Sequence, residues 1–385
     1  MGIIACERTA SPDKAMFDRL DAALGGRRPV FVSVFASPAL DLGAIQRACR
    51  ERYPDACVVG STTSGEFTEA GDGQKTAAIF ALAGDYVAHG GLGAGLGASP
   101  ARAVESALGD RPRRVDGYPH QAAIMLLDPL AGHGEEAALL LAGSLGDVPL
   151  VGGAAGDDLA MTKTLVGLGD RVASDAVAVV TLHAKEPFGV GVCHGHAPCS
   201  TPLTATRVDG SVVLEVDGRP AWDVWREQTG DRARRAGLDP DGNPGAYLLR
   251  FEAGLRVGGG YKVRAPLAPR TGGGILFATP ILEGTVFTIM ESTPADQVES
   301  AVAAATAARA GLGGREVAGA LVFDCICRKL ILGDRYAEAL ADVSSELGGV
   351  PLAGFETYGE IALNSGDMSG FHNTTTVVLA FPRHG

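Results

Sequence analysis

The chain has 385 residues, 46% of them hydrophobic and 20% charged, with a formal net charge of −12. At roughly 150 residues per domain this is enough for two or three domains with substantial cores. The acidic balance and the lack of a basic stripe argue against nucleic acid and anionic membrane as partners. No apolar run approaches the roughly 20 residues that span a bilayer. The start, Met1-Gly2-Ile3-Ile4-Ala5-Cys6, lacks the basic stretch and apolar core of a secretory signal. Seven cysteines without a secreted spacing predict reduced thiols and a cytoplasmic protein.

In chain order, residues 1–28 read as a frayed segment with a short helix over 13–24. Strand and helix patterns then alternate. Strands are predicted at 30–35, 56–60, 76–83, 86–92, 122–127 and 148–152. Helices are predicted at 40–53, 100–108 and 134–141. The glycine-rich stretch 91–97 reads as a loop, because no βαβ helix follows it clearly. Strands dominate next, at 162–167, 176–182 and 188–196. A hairpin follows over 203–216 with Asp209-Gly210 as its turn. Beyond a boundary near Asp217-Gly218, a helix starts at Pro220 and residues 232–246 read as a loop. Strands are predicted at 247–251, 274–279, 285–291, 317–327 and 351–354, and helices at 293–310 and 335–347. The chain closes on a β run over 372–381. The pattern implies an α/β (mixed α+β) protein with mixed, largely antiparallel sheets, divided into 1–28, 29–216 and 217–385.

One signature occurs three times. Val59-Gly60 leads to Gly65-Glu66, Pro149-Leu-Val-Gly152 leads to Gly156-Asp157, and Pro351-Leu-Ala-Gly354 leads to Gly359-Glu360. Each is an apolar strand, a glycine, small or polar residues, then glycine and an acid. Glycine permits positive φ at a strand exit, and the acid can accept backbone N–H groups in the turn. Repetition argues for duplicated units with equivalent turns.

The stretch Phe188 to Cys199 carries the most suggestive chemistry. With a period of two, Phe188, Val190, Val192, His194 and His196 share one strand face, and Gly189, Gly191 and Gly195 share the other. The bare face suits a second backbone or a flat ligand lying close. The apolar face ending in imidazole suits a hydrophobic ligand needing one metal bond. The alternative is a buried strand whose histidines hydrogen-bond to carbonyls. Zinc is a competing metal reading, through Cys193, His194, His196 and Cys199, but Cys193 and His194 face opposite ways on a regular strand. Cys325 and Cys327 share a strand face and read as buried thiols or a redox pair. Trp222 and Trp225 read as core anchors. No nucleophile elbow, P-loop or His-Glu-x-x-His motif is present, so no enzyme is expected.

Six motifs together resemble the FIST sensor proteins, with N-terminal and C-terminal FIST domains in tandem. They are Gly152-Gly-Ala-Ala-Gly-Asp-Asp158, Gly189-Val-Gly-Val-Cys-His-Gly195, Asp217-Gly-Arg-Pro-Ala221, Val322-Phe-Asp-Cys-Ile-Cys-Arg328, Pro351-Leu-Ala-Gly-Phe-Glu-Thr-Tyr-Gly-Glu-Ile361 and Phe371-His-Asn-Thr-Thr-Thr376. The likeness runs from about Pro29 to Pro382. The Gly354-to-Ile361 motif with the downstream Phe-His-Asn further resembles the NosP branch. That resemblance implies non-covalent haem b, nitric oxide as the signal, and a separate histidine kinase as partner, with cyclic-di-GMP and biofilm regulation downstream. A homodimer is compatible with it. It implies His194 as axial iron ligand, with His196 and His372 as the other candidates. Arg328, Glu356 and Tyr358 are candidate contacts to a propionate or a partner. The alternative is a haem-free FIST module sensing an amino acid or other small metabolite.

Overall fold

The computed structural model describes residues 2–363 and 370–383; the terminal His384 lies outside them. The threefold signature is the visible part of a threefold architecture. Each unit runs strand, helix, strand, helix, strand, hairpin, strand. The first comprises Ile3–Thr9, Lys14–Ala23, Pro29–Ala36, Leu42–Arg52, Cys57–Thr62, the hairpin Glu66–Thr68/Gly71–Gly73, and Ala77–Ala83. The second comprises Tyr86–Ala94, Pro100–Leu108, His120–Leu127, Gly134–Leu145, Leu150–Ala154, the hairpin Val166–Leu168/Arg171–Ala173, and Ala176–Ala184. The third comprises Gly189–Cys193, Pro294–Gly311, Val317–Cys325, Tyr336–Glu346, Leu352–Thr357, the hairpin Glu360–Leu363/Gly370–His372, and Thr376–Pro382.

The units exchange their hairpins in a closed cycle. Hairpin 66–73 pairs with Leu352–Thr357 of the third unit, hairpin 166–173 with Cys57–Thr62 of the first, and hairpin 360–372 with Leu150–Ala154 of the second. Each resulting sheet has six strands, with one parallel pair among antiparallel neighbours. The signature residues make this crossing. Gly65 has φ +142°, and a Cβ there would lie 2.4 Å from the Glu356 carboxylate. Thr63 donates to the Glu66 carboxylate and Thr357 to the Glu360 carboxylate, at the same three-residue offset. Asp157 accepts the amides of Met161, Thr162 and Lys163 at 2.7 to 2.9 Å. The repeated acids thus hold backbone in the exchange turns.

The inner faces of all three sheets meet in one core, with Phe35 4.6 Å from Phe355 and 6.1 Å from Phe323 between ring centroids. The helices cover the outer faces in a separate cluster for each unit. Residues 194–293 are inserted between the first strand and first helix of the third unit. They build a fourth sheet, whose outermost pair at one edge is Phe251–Val257 and Gly260–Arg264. Its core is Trp225, Tyr247, Phe277 and Phe287. Thr293 then restarts the third unit with a capping box to Asp296.

Several local expectations are corrected. Ile3–Thr9 is a full strand on Ala77–Ala83 and not a frayed end. Tyr86–Ala94 includes the glycines at 91 and 93. Residues 232–235 continue the helix Ala221–Arg235, and Pro244–Arg250 is a helix where a strand was expected at 247–251. The strand at 317 stops at Cys325, and Cys327 lies in the helix Ile326–Leu332, so the two thiols do not share a strand face.

Candidate functional site

The strand Gly189–Cys193 is built as its glycines allow. Helix Pro294–Gly311 lies on the bare face so closely that a Cβ on Gly191 would be 1.8 Å from the Ala304 carbonyl oxygen, and one on Gly189 1.8 Å from that of Ala308. The opposite face sends Phe188 and Val190 into the central core. The strand ends at Cys193, so His194 and His196 stand in the connection entering the inserted sheet, not on a strand face.

That connection crosses a buried polar seam. It is formed by the strands Phe251–Val257 and Gly260–Arg264, by the start of helix Pro294–Gly311, and by the segment 370–376. His194 Nε2 lies 2.9 Å from the Tyr261 carbonyl oxygen, while its Nδ1 faces the His196 amide at 3.3 Å. A carbonyl accepts only, so Nε2 must carry the proton and Nδ1 must be the acceptor. Burial lowers the His194 pKa, which keeps the ring neutral. His196 is buried, 3.1 Å from Ser292 Oγ, 3.4 Å from Gln297 Nε2 and 3.7 Å from Glu252 Oε2, and burial depresses its pKa strongly. His372 is also fully buried. Burial, with Lys262 and Arg264 near it, pushes its pKa down to about 3.

The seam is not saturated. Glu252 accepts from Thr374 Oγ1 at 2.9 Å through Oε1, but its Oε2 has no hydrogen bond. Burial, with Glu360 adding to it, raises this carboxyl to about 8. Arg264 donates to the Phe371 carbonyl at 2.9 Å and pairs with Glu135, yet its Nε is buried without a partner. Neither ring nitrogen of His372 reaches hydrogen-bond geometry among the described residues, although the Ala362 backbone favours its charged form. Each such atom costs about 1–3 kcal/mol when left dry. Glu252, Arg264 and His372 carry four of them at one junction.

The structure therefore gathers His194, His196 and His372 and separates the remaining candidates from them. Arg328 lies deeper, saturated by Asp324 at 2.7 Å, Ser300 at 3.0 Å and the Gln297 backbone at 2.8 Å. It joins the seam at second hand, through Gln297, which donates to Ser292 at 2.9 Å, and through Asp324, which accepts from the Thr376 hydroxyl. Glu356 and Tyr358 stand where the third unit meets the other two: Glu356 pairs with Lys329 at 2.5 Å, and the Tyr358 hydroxyl donates to Asp157 at 2.6 Å. Glu252 and Arg264 were not anticipated. Their only sequence signal is that Glu252, Arg256, Lys262 and Arg264 fall at even positions of an otherwise apolar and glycine-rich hairpin, which reads as a solvated strand face.

These residues do not fit haem b as they are arranged. His194 Nε2 is protonated toward a carbonyl and offers iron no lone pair, helix Pro294–Gly311 fills the glycine face, and the apolar face is core. Among the described residues no three His, Cys, Asp or Glu side chains converge as a metal site. What the seam offers is a mixed set: a carboxyl, a guanidinium and a neutral imidazole, each with an unused polar atom.

Comparison with known proteins places this geometry. The FIST N domain matches residues 30–219 and the FIST C domain residues 221–363. The chain belongs to the FIST family. FIST domains imply a signal-transduction sensor. The division between the FIST domains falls beside Pro220, while the exchanged hairpins pair strands across it. The chain also resembles an uncharacterized protein of Methanocaldococcus jannaschii, 30% identical over 80 residues, covering 21% of this chain and 16% of that protein. Among the described residues no helix is long and apolar enough to cross a membrane.

Proposed function

We propose that this FIST chain is the input component of a signalling pathway and that it takes up a small zwitterionic ligand, of the free amino acid class, at the polar seam. The observation that carries this reading is the set of unused atoms on Glu252, Arg264 and His372. A ligand ammonium would pair with Glu252, whose high pKa leaves it protonated in the empty seam. A ligand carboxylate would take the free Nε of Arg264. Both ends would replace missing bonds, so the ligand favours the state in which the seam is closed around it. The segment 371–374 holds the inserted sheet through Arg264, Ala265 and Thr279, and its hairpin pairs with the second unit. Ligand binding would thus set how the inserted sheet sits on the body, a change that a separate protein such as a histidine kinase can read.

Haem b with nitric oxide, which the NosP resemblance implies, is the second reading; it requires His194 to give up its bond to the Tyr261 carbonyl. One experiment separates them. The purified chain is screened by thermal shift against the free amino acids, then titrated with haem. Stabilisation of about 2.7 kcal/mol at a hundredfold excess over Kd, lost in both Glu252→Gln and Arg264→Met, supports the zwitterion reading. No stabilisation, together with a stoichiometric Soret band that disappears in His194→Ala, overturns it and reinstates haem.

A further inference from the structure

A second feature lies far from the seam, in the second unit. Helices Pro100–Leu108 and Gly134–Leu145 and the segment that follows Gly109 line an open cleft of about 430 Å³. Val104, Leu108 and Leu140 give its lining an apolar part, and Arg111, Arg113 and Glu105 give it a charged part. This volume falls within the range of small-molecule sites.

Among the described residues neither arginine forms an ion pair, although Glu105 shares the lining. Arg111 is half-buried, its Nε lacks a hydrogen-bond partner, and the charge that most affects it is another cation, Arg113. In a chain of net charge −12, two arginines lining one cleft are a local concentration of positive potential. Behind them the strand Ala176–Ala184 carries Thr181 and His183, both wholly buried and both with unpartnered polar atoms. Burial, then His89 and Arg111, lower the His183 pKa, so this layer stays neutral beneath the arginines. The chemistry missing here is a compact anion that accepts several hydrogen bonds, with an apolar body lying along the leucine wall.

We propose that this cleft binds a nucleoside monophosphate, its phosphate held by Arg111 and Arg113 and its base against Val104, Leu108 and Leu140. Planar guanidinium forks suit phosphate oxygens, and the Glu105 carboxylate can accept from a sugar hydroxyl or a base amine. The site is independent of the seam: a ligand here contacts only the second unit.

The test is calorimetric titration of the full chain with adenosine and uridine monophosphates and with inorganic phosphate, at low ionic strength. The expected result is binding of a nucleotide in the micromolar to millimolar range, weakened about tenfold or more by Arg113→Gln. Arg113 is exposed, so its replacement leaves folding intact. Leu140→Trp, a half-exposed helix position, should fill the wall and block the nucleotide while sparing inorganic phosphate. Glu252→Gln should leave both unchanged. No heat from any of the three ligands overturns the site, as does nucleotide binding that survives Arg111→Gln combined with Arg113→Gln. Inorganic phosphate binding as tightly as the nucleotides overturns the role of the apolar wall.

Discussion

The packing of Gly191 against helix Pro294–Gly311 decides whether the strand leading into the seam has any face left for a flat ligand. In Gly191→Ala the new methyl carbon would start 1.8 Å from the Ala304 carbonyl oxygen and 2.8 Å from the Ala308 amide nitrogen. Non-bonded contacts of this kind settle near 3.5 Å, so strand and helix must part by roughly 1.7 Å. The obstruction is helix backbone on both sides, so no side-chain rotation relieves it. Ala301, Ala304, Ala305 and Ala308 would lose close packing together. Overpacking costs typically 1–3 kcal/mol, and a backbone obstruction belongs at the upper end, about 3 kcal/mol. Urea denaturation should show a midpoint lowered by about 1 M at an unchanged m-value of about 3 kcal/mol per molar. Gly143→Ala is the matched control. It lies inside helix Gly134–Leu145 with nothing within 4 Å of the new carbon, so it should stabilise by about 0.5–1 kcal/mol. A Gly191→Ala protein within about 0.5 kcal/mol of wild type would refute the packing argument and return that face to a ligand.

Two further outcomes follow from the buried charges. Glu252 has its pKa raised from 4.5 to about 8, so the folded state holds its proton more tightly than the unfolded chain does. The associated stability is complete below pH 4.5 and is lost as pH rises toward 8, by at most roughly 4–5 kcal/mol. Glu252→Gln should remove that share of the decline, so that stability from urea melts falls less between about pH 5 and pH 8 than it does in wild type, where Glu66, Glu356 and Glu360 add their own shares. Arg328→Met strands the Asp324 carboxylate, which then keeps only neutral donors such as the Thr376 hydroxyl at 2.5 Å. The cost should be about 3–5 kcal/mol, and adding Asp324→Leu should recover most of it in a double-mutant cycle.

Much of the fold was readable because its signals are local. The recurring glycine-and-acid turns marked three equivalent units, and each acid does hold turn backbone, as Glu66, Asp157 and Glu360 show. The hairpin exchange was not readable. Pairing of 66–73 with 352–357 joins residues nearly the whole chain apart, and no residue in either segment names its partner. The Gly189-x-Gly191 face was read as open to a backbone or a flat ligand, and periodicity alone cannot choose between them. The choice is made by the alanines at 304 and 308, four apart on a helix that begins 100 residues later in the chain. Tyr247 was misassigned because a short apolar run of aromatic and leucine residues fits strand and helix equally. The three candidate histidines were found by type and motif. Their tautomers and unused atoms depend on Tyr261, Glu252 and Arg264, which carry no motif of their own.

The exchange of hairpins also explains why a sensor would be placed at this seam. Each hairpin completes a sheet belonging to another unit, so a displacement of hairpin 360–372 is felt by the second unit through Leu150–Ala154 and by the third through its own strands. Of the three hairpins, this one carries in its outer strand and the turn beyond it the residues that grip the inserted sheet: Phe371, Asn373 and Thr374. The inserted sheet has its own core around Trp225 and reaches the third unit through buried polar contacts of His196 with Gln297, of Glu252 with Thr374 and of Arg264 with the Phe371 carbonyl. Polar contacts with unused atoms are cheaper to rearrange than close apolar packing, since water or ligand can satisfy them in more than one geometry. On the proposed reading, the element that moves is the polar joint between the inserted sheet and the body, and the exchanged units supply the frame against which its movement is read.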